Sequence, residues 1–114
     1  MNIADILPRL INATPHAITI RHGGADHVIQ PSGFSIRLDT TTQVLGDGVV
    51  SNTTSAPSDL VFDPTSYYFV SNMVAAAQMP AGFQAVFPPT DSAYLVRNDK
   101  GHTVAILAVQ VKVF

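Results

Sequence analysis

The sequence Ile-Asn-Ala-Thr-Pro-His-Ala-Ile-Thr-Ile, residues 11–20, places a turn directly before an alternating strand. From Ala17 to Arg21, apolar residues alternate with polar ones, which is the period of a half-buried strand. The glycine-rich segment His22–His27 then turns the chain back into a second apolar segment, Val28–Gln30. These features predict a β-hairpin with a glycine-rich tip.

Further strands and a surface loop are predicted after this hairpin. The turn Pro31–Gly33 precedes a second alternating segment, Phe34–Leu38, and the β-branched run Thr40–Val44 follows it. Residues 51–58 are rich in Ser, Thr, Asn and Pro, which is a composition typical of loops. We therefore expect two more strands, and then a surface loop where the sheet passes to its second half.

The strongest signal for a buried strand is Tyr67–Val70, in which every residue is aromatic or β-branched. Ser71 follows this strand and is a favoured helix N-cap residue, whereas Pro80 ends the helix-forming residues that come next. One short helix is therefore predicted at about residues 73–79.

The C-terminal third is also predicted to form strands. Phe83–Phe87 and Ala93–Arg97 are apolar segments separated by a pair of prolines, and Asn98–Gly101 contains the Asn, Asp and Gly of a hairpin turn. The last segment, Thr103–Phe114, ends in alternating valines and predicts one long terminal strand. The apolar edge of such a strand needs a pairing partner.

These elements together predict a mainly β fold. We expect a single compact antiparallel domain at residues 11–114, either a β-sandwich or barrel-like, with one short helix. Residues 1–10 are predicted to form a short N-terminal arm, because Asn2 can cap an apolar turn that Pro8 limits. A chain of 114 residues is of ordinary size for one domain with one core.

The composition is unusually poor in charge. Charged residues make up 12% of the chain and hydrophobic residues 46%, whereas about 25% of an average soluble domain is charged. All eight acidic residues are Asp, which favours turns over helices. Because depletion of charge is typical of protein–protein interfaces, we expect copies of the chain or another protein to cover part of the surface.

Several kinds of partner do not fit this composition. A net charge of −2 with six scattered basic residues provides no basic stripe, so duplex nucleic acid is not an expected partner. The chain has no cysteine for disulfides or thiolate metal sites. The longest apolar run, Val104–Val109, is too short to span a membrane. Residues 1–10 lack the pattern of a secretory signal, so we expect synthesis in the cytoplasm and no membrane contact.

The chain resembles a group of small, mostly uncharacterised phage and bacterial proteins that begin with Ile-Asn-Leu-Thr-Pro-His. Residues Ile11–His16 match this opening, with Ala13 in place of Leu. The resemblance continues with a Pro-Ser-Gly turn followed by Arg37, a Tyr-Tyr-Phe-Val-Ser strand before Val-Ala-Ala-Ala, and a closing Val-Arg-Asn-Asp-Lys-Gly hairpin. These motifs occur in the same order over most of the chain.

The layout is also similar to that of the phage anti-Thoeris sponge proteins, which sequester cyclic ADP-ribose signals. This resemblance implies binding of a small nucleotide. The related proteins usually carry Arg-Asp-Asp between the helix and the penultimate strand, where this chain has the uncharged triplet Gly82-Phe83-Gln84. If those charges line a ligand pocket in the relatives, this chain departs from that function, and its scaffold serves assembly instead.

Two histidines near the first hairpin tip are candidate metal ligands. His22 and His27 flank the turn with Asp26 nearby, and His and Asp do form metal sites. Two imidazoles without a third fixed ligand make only a weak, open site, so we interpret them as exposed polar residues and expect no metal. His16 is expected to hydrogen-bond the neighbouring backbone and fix the entry turn, rather than to act as an acid or base.

No pattern typical of a catalytic site occurs in the sequence. Because it contains no nucleophile elbow, phosphate-binding glycine loop or paired carboxylates, we expect no enzymatic activity, no catalytic residue and no cofactor. Arg37 and Arg97 are the best candidates for an anion contact, since guanidinium groups bind phosphate bidentately. In a nucleotide-binding protein, Asn72 and Asn98 would help them hold the phosphate, base or sugar.

Two functions remain open from the sequence. The favoured one is a non-enzymatic phage structural or assembly protein, such as a capsid decoration or cement protein, made in the host cytoplasm and located in the virion. It would act through homo-oligomeric contacts or contacts with other virion proteins. The alternative is an anti-defence sponge for a small cyclic nucleotide in the host cytoplasm. The residues expected to make assembly contacts are Ile3, Ile6, Leu7, Val111, Val113 and Phe114.

Overall fold

The computed structural model describes all 114 residues. The two α-helices are α1 (Ile3–Ile6) and α2 (Asn72–Ala76), and short 3₁₀ turns lie at Leu7–Arg9 and Ser92–Tyr94. The strands are β1 (Leu10–Asn12), β2 (Ile18–His22), β3 (Ala25–Ile29), β4 (Asp39–Gly46), β5 (Val49–Ser55), β6 (Tyr67–Phe69), β7 (Gln84–Phe87), β8 (Leu95–Arg97), β9 (Thr103–Ile106) and β10 (Gln110–Val113). Strands account for 42% of the residues and helices for 13%, which confirms the mainly β class.

The strands form two four-stranded sheets and one separate hairpin. The central sheet has the order β1-β6-β7-β10, and the outer sheet has the order β3-β2-β9-β8. Strands β4 and β5 pair only with each other, and we call this hairpin (residues 39–55) the arm, as distinct from the N-terminal segment at residues 1–10. Strand β6 is parallel to both β1 and β7, and β2 is parallel to β9, so the sheets are mixed rather than purely antiparallel. Parallel neighbours need a crossover, and helix α2 lies in the connection that supplies it between β6 and β7.

The first core lies between the central and outer sheets, which pack face to face as a sandwich. It also receives Ile6 from α1, so residues 1–10 pack on the sandwich. Asn2 caps α1 as predicted: its side chain accepts from the Ala4 N–H at 2.7 Å, and its own N–H donates to Asp5 at 3.1 Å. The buried members of this core are Ile6, Ile20, Tyr67, Phe69, Val86 and Ile106.

A second core covers the opposite face of the central sheet. Because side chains alternate along β6, Tyr67 and Phe69 belong to the first core while Tyr68 belongs to the second. Tyr68 stacks on Phe83 at a ring distance of 5.1 Å. Helix α2 and two irregular segments, residues 31–38 and 56–66, contribute the side chains that cover this face. The central sheet is therefore covered on both faces.

Residues Phe34–Leu38 do not form the predicted strand, although their side chains alternate between half-buried and exposed as the sequence indicates. Phe34, Ile36 and Leu38 are half-buried with exposed residues between them, yet the segment pairs with no neighbouring strand. Phe34 instead packs on Tyr68 at a ring distance of 5.0 Å. Period-two alternation arises whenever an extended segment lies on a core, with or without a hydrogen-bonded partner.

The predicted terminal strand and surface loop also need correction. Thr103–Phe114 is not one strand, because β9 lies in the outer sheet and β10 in the central sheet, and residues 107–109 cross between them. Most of residues 51–58 are not a loop either, since β5 continues to Ser55. Its Thr53 and Thr54 stand opposite Thr41 and Thr40 of β4, and β-branched residues fit such a ladder well.

Two predicted caps and turns are confirmed. The Ser71 hydroxyl accepts from the Val74 N–H at 3.3 Å at the start of α2, although the helix is shorter than predicted and ends at Ala76. The turn between β8 and β9 lies at Asn98–Gly101, and Gly101 adopts a φ of 79°, which favours glycine.

Asp63 fixes the entry to β6. One of its carboxylate oxygens accepts from the backbone N–H of Thr65 at 2.9 Å and from the Thr65 hydroxyl at 2.7 Å. These two hydrogen bonds, the backbone one first, hold the pKa of Asp63 below its ordinary value. The N–H of Asp63 donates to the Tyr68 hydroxyl oxygen at 2.7 Å, which ties the turn to the second core.

The arm projects from the rest of the molecule. Every residue of β4 is exposed, and neither β4 nor β5 joins the two larger sheets. The molecule measures 55 × 34 × 25 Å, and its radius of gyration is 16.1 Å. A compact domain of 100 residues has a radius of about 13 Å. The elongated shape follows from the arm, which lacks a core of its own.

Candidate functional site

The Asn12 side chain organises the motif that opens the first hairpin. Asn12 is only 1% exposed, and its Nδ2 donates to the carbonyl oxygens of His16 at 2.7 Å and Ile29 at 3.0 Å. Its Oδ1 accepts from the Thr14 N–H at 3.0 Å and from the Thr14 hydroxyl at 2.6 Å. One buried amide therefore holds both the turn before β2 and the end of β3.

The turn-fixing role predicted for His16 belongs to Asn12. The imidazole of His16 is exposed and makes no hydrogen bond, and only the backbone carbonyl of this residue takes part in the network. A buried amide suits the position better, since it offers two donors and an acceptor in one short side chain. Asn side chains commonly accept from the backbone N–H two residues on in an Asx-turn, so Asn12 just before Pro15 is the feature of the sequence that indicates this turn.

An open groove lies beside this motif. It has a volume of about 440 Å³ and is the largest of four cavities, and its walls include Thr14, Pro15, Phe34, Ser71 and Val74. All ten lining residues are uncharged. The groove therefore offers hydroxyl groups and apolar surface to a ligand, but no charged partner for a phosphate.

The four predicted nucleotide-binding residues do not share a cavity. Arg37 and Asn72 follow groove residues in the sequence, whereas Arg97 and Asn98 lie at the end of β8 in the outer sheet. None of the four lines any of the cavities. The Asn98 side chain is already engaged, since its Oδ1 accepts from the N–H groups of Lys100 and His102, both at 3.0 Å.

The uncharged triplet Gly82-Phe83-Gln84 belongs to the second core. Phe83 has no exposed surface and contacts Phe62 and Phe114 edge to face, at ring distances of 5.4 and 6.2 Å. The Gln84 amide donates to the carbonyl oxygens of Pro64 at 3.0 Å and Ser66 at 3.2 Å. In this chain the triplet supports packing and lines no polar pocket.

The first hairpin is tighter than predicted, and this separates its two histidines. The turn consists of Gly23 and Gly24 alone, with φ values of 62° and 75°, so His22 pairs with Ala25 and His27 pairs with Ile20. The two imidazoles therefore do not stand directly opposite each other. No group of three or more His, Cys, Asp or Glu residues in the chain is arranged to hold a metal ion.

An ion pair lies between these histidines on the hairpin. Arg21 and Asp26 are cross-strand partners, and the Arg21 Nε lies 2.7 Å from the Asp26 Oδ1. The hydrogen bond from Arg21 holds the pKa of Asp26 below its ordinary value, and Asp26 raises the pKa of Arg21. Both side chains are nearly half exposed, so this pair is a surface feature of the hairpin.

Most of the predicted assembly residues are used within the chain. Ile6 is buried in the first core, where Ile3, Leu7 and Val111 also pack. Phe114 packs against the second core, which leaves Val113, at 60% exposure, as the one exposed member of the set. The structure gives these residues intramolecular contacts and places free apolar surface elsewhere.

The largest concentration of free apolar surface is the tip of the arm. Twelve large hydrophobic residues of the chain are exposed, and four of them flank the turn between β4 and β5. Their exposed fractions are 74% for Val44, 60% for Leu45, 53% for Val49 and 56% for Val50. This site is missed in the sequence because residues 51–58 have the composition of a loop. The signal that indicates it is the pair of apolar residues on each side of Gly46-Asp47-Gly48.

Comparison of the chain with protein-family models, curated proteins and solved structures gave no match.

The two α-helices have four and five residues. Neither reaches the length or the apolar character that a membrane-spanning helix requires.

Proposed function

We propose that this chain is a non-enzymatic phage assembly protein, a small virion component such as a capsid decoration or cement protein. It acts through contacts with copies of itself or with other virion proteins. The observation that carries the proposal is the arm, an exposed two-stranded hairpin with an apolar tip. The scarcity of charge and the resemblance to small phage and bacterial proteins support the same role.

The arm gains little stability from its own chain. An isolated two-stranded hairpin is marginally stable in water, because it buries too little apolar surface to offset its ordering. The arm also exposes four large apolar side chains that its own domain does not cover. A partner that packs against the arm supplies the missing burial, so the arm is best explained as a contact element.

The nucleotide-sponge alternative has less geometric support. A pocket for a small anion needs several polar groups that converge, and the candidate arginines lie on different parts of the fold. The largest groove has no charged lining residue.

The direct test is quantitative mass spectrometry of purified particles of the phage whose genome encodes the chain. We expect the protein in many copies per particle, in a fixed ratio to the major capsid protein. Absence from the particle would overturn the virion role.

A matched pair of variants tests the arm as the contact element. Val50 in the arm and Val28 in β3 are both 56% exposed, so Val50→Asp and Val28→Asp introduce the same charge at equal exposure. We expect Val50→Asp to reduce incorporation into particles and Val28→Asp to leave it close to that of the unmodified protein. Equal incorporation of the two variants would exclude the arm tip as the contact.

A thermal-shift screen with cyclic nucleotides tests the alternative. A ligand present at 100 times its dissociation constant stabilises the folded state by about 2.7 kcal/mol. A shift of this size that disappears in both Arg37→Ala and Arg97→Ala would support the sponge and contradict the proposed function. We expect no shift.

A further inference from the structure

The outer edge of β4 is the one long strand edge of the arm without a partner. On the other side of the arm, β5 is held at its base, where Ser55 forms a bridge with Gln78. No backbone hydrogen bond reaches β4 from outside the hairpin. Between Asp39 and the bulge that follows Val44, residues 40–44 contain no charged residue and no Pro, so this part of the edge lacks the usual protection against pairing.

The contacts of β5 determine which residues of β4 present their backbone groups at this edge. The Thr54 carbonyl accepts from Gln78, so the backbone of Thr54 points away from β4. Thr54 pairs with Thr40, and in an antiparallel ladder both members of such a pair point outward. Alternation then gives the free edge to Thr40, Thr42 and Val44.

This edge is complementary to a second copy of itself. In a two-fold antiparallel pairing centred on Thr42, each Thr42 stands opposite the same residue of the second copy, and Thr40 stands opposite Val44 of that copy. Every outward residue then meets an outward residue, which gives three hydrogen-bonded pairs with two backbone bonds each, six bonds in all. A shift of one residue would place outward groups opposite inward ones, and a shift of two residues would leave two hydrogen-bonded pairs instead of three, so the register centred on Thr42 is favoured.

The charges fit the same antiparallel orientation. Asp47 lies in the turn that follows β4, and Arg37 lies just before β4, so pairing about Thr42 brings Asp47 of one copy to the same end of the interface as Arg37 of the second copy. The bulge after Val44 rules out a residue-by-residue count to Asp47, so this contact is placed by end and not by exact register. Both residues are exposed, and neither forms an ion pair in its own chain, where Arg21–Asp26 is the sole salt bridge. Symmetry repeats this contact, so the dimer gains two complementary pairs. This complementarity favours a second copy over a strand of unrelated sequence.

We propose that two copies of the chain associate through the β4 edges of their arms and form a continuous four-stranded antiparallel sheet with Thr42 on the two-fold axis. The inference rests on the proposed function, because it names the contact through which the assembly protein acts. Arg37 then serves as an interface residue at the base of the arm, paired with Asp47 of the second copy.

Proline substitutions test the edge. The N–H of Thr42 points outward, so Thr42→Pro removes no backbone hydrogen bond between β4 and β5 but blocks the pairing of the two copies. Thr42→Pro and Asn52→Pro both remove the hydrogen bond that the Thr42 hydroxyl donates to Asn52 Oδ1 at 2.7 Å, so this loss is the same in the two variants. Asn52→Pro is the matched control, because Asn52 is the cross-strand partner of Thr42 and its N–H points to the other edge. We expect sedimentation equilibrium of the full chain to show a dimer for the unmodified protein and Asn52→Pro, and a monomer for Thr42→Pro.

A cysteine substitution tests the register independently of dimer stability. The chain has no native cysteine, so Thr42→Cys carries a single thiol. Directly opposite residues of a hydrogen-bonded pair have Cα atoms about 5.5 Å apart, within the range for a disulfide. We expect mild oxidation to link Thr42→Cys into a covalent dimer, whereas Thr53→Cys, on β5, remains unlinked.

A charge exchange tests the predicted contact between the two copies. Arg37→Asp and Asp47→Arg should each weaken the dimer, and the double variant should restore it, because the exchanged charges still face each other. Arg97→Asp, in the outer sheet, is the control and should leave dimerisation unchanged. Failure of the double variant to recover affinity would exclude the Arg37–Asp47 contact.

The outcomes separate this inference from the proposed function. A monomeric unmodified protein, or a dimer that survives Thr42→Pro without Thr42→Cys cross-linking, would overturn the β4 pairing even if the protein is abundant in particles. A dimer with the expected register in a protein absent from particles would leave the pairing standing and overturn the virion role.

Discussion

The two glycine-turned hairpins of this chain, β2–β3 and the arm, have the same local design and opposite surroundings. Strand β2 pairs with β9 as well as with β3, and it places Ile20 in the first core with no exposed surface. The arm has no third strand, and its apolar residues cluster at the tip instead of along one face. Strands β2 and β3 are therefore stabilised by the rest of the domain, whereas the two strands of the arm pair only with each other.

Hydrogen exchange should show the largest contrast between the two hairpins. In the Thr42→Pro variant, for which we expect a monomer, amides of β4 and β5 should open at a free energy close to zero. Amides of β2 should open near the global unfolding free energy, about 5–15 kcal/mol for a small domain. Equal protection of the two hairpins would show that the arm is stabilised by its own chain.

Core truncation should give the next largest difference. Ile20→Ala removes a fully buried side chain from β2, and such changes cost about 2–5 kcal/mol of unfolding free energy. Val44→Ala, at 74% exposure in the arm, should change the stability of the monomer by less than about 0.5 kcal/mol. Urea denaturation followed by circular dichroism measures both values, and similar losses would contradict the division between anchored hairpin and free arm.

The Asn12 network provides a smaller test of how β2–β3 is anchored. Asn12→Ala leaves the Ile29 carbonyl without its side-chain donor and releases the turn around Thr14, so we expect a loss of about 1–3 kcal/mol. His16→Ala is the matched control from the same motif, because its exposed imidazole makes no hydrogen bond. A larger loss for His16→Ala than for Asn12→Ala would return the turn-fixing role to the imidazole.

The sequence was sufficient for elements whose signal is local. The β2–β3 hairpin, the buried strand at Tyr67–Val70, the Ser71 cap and the turn at Asn98–Gly101 follow from side-chain period and turn chemistry, and all are present. Sheet assignment is not local. No residue pattern between Thr103 and Phe114 indicates that the chain passes from the outer sheet to the central sheet, because apolar residues are compatible with both sheets.

The candidate site was harder to predict for a related reason. Threonine-rich strands without an apolar face have the composition of a loop, so the sequence predicts a loop at residues 51–58, where most of β5 lies. Its strand character depends on pairing with the threonines of β4, which is a cross-strand property. The sequence indicates Arg37 only as a candidate anion contact, because its position just before the arm depends on the fold.

The acid dependence of stability should give the smallest contrast, and it belongs to β2–β3. Because Arg21 lowers the pKa of Asp26 in the folded state, this carboxylate stabilises the fold at pH values above its ordinary pKa of 3.8. That stabilisation is lost as pH falls through the lowered, folded-state pKa. Asp26→Asn should therefore be less stable than the unmodified protein near neutral pH and should converge with it in strong acid.

Asp99→Asn, in the turn between β8 and β9, is the control, because the Asp99 carboxylate has no hydrogen bond or ion-pair partner. It should follow the unmodified protein more closely at every pH. Thermal melts between neutral pH and pH 2 compare the three proteins, and some acid sensitivity should persist in Asp26→Asn, since the pKa of Asp63 is also lowered by its Thr65 contacts. High salt should shrink the difference near neutral pH, because both members of the Arg21–Asp26 pair are exposed. A salt-independent difference would mean that Asp26 acts through the geometry of the hairpin rather than through its charge.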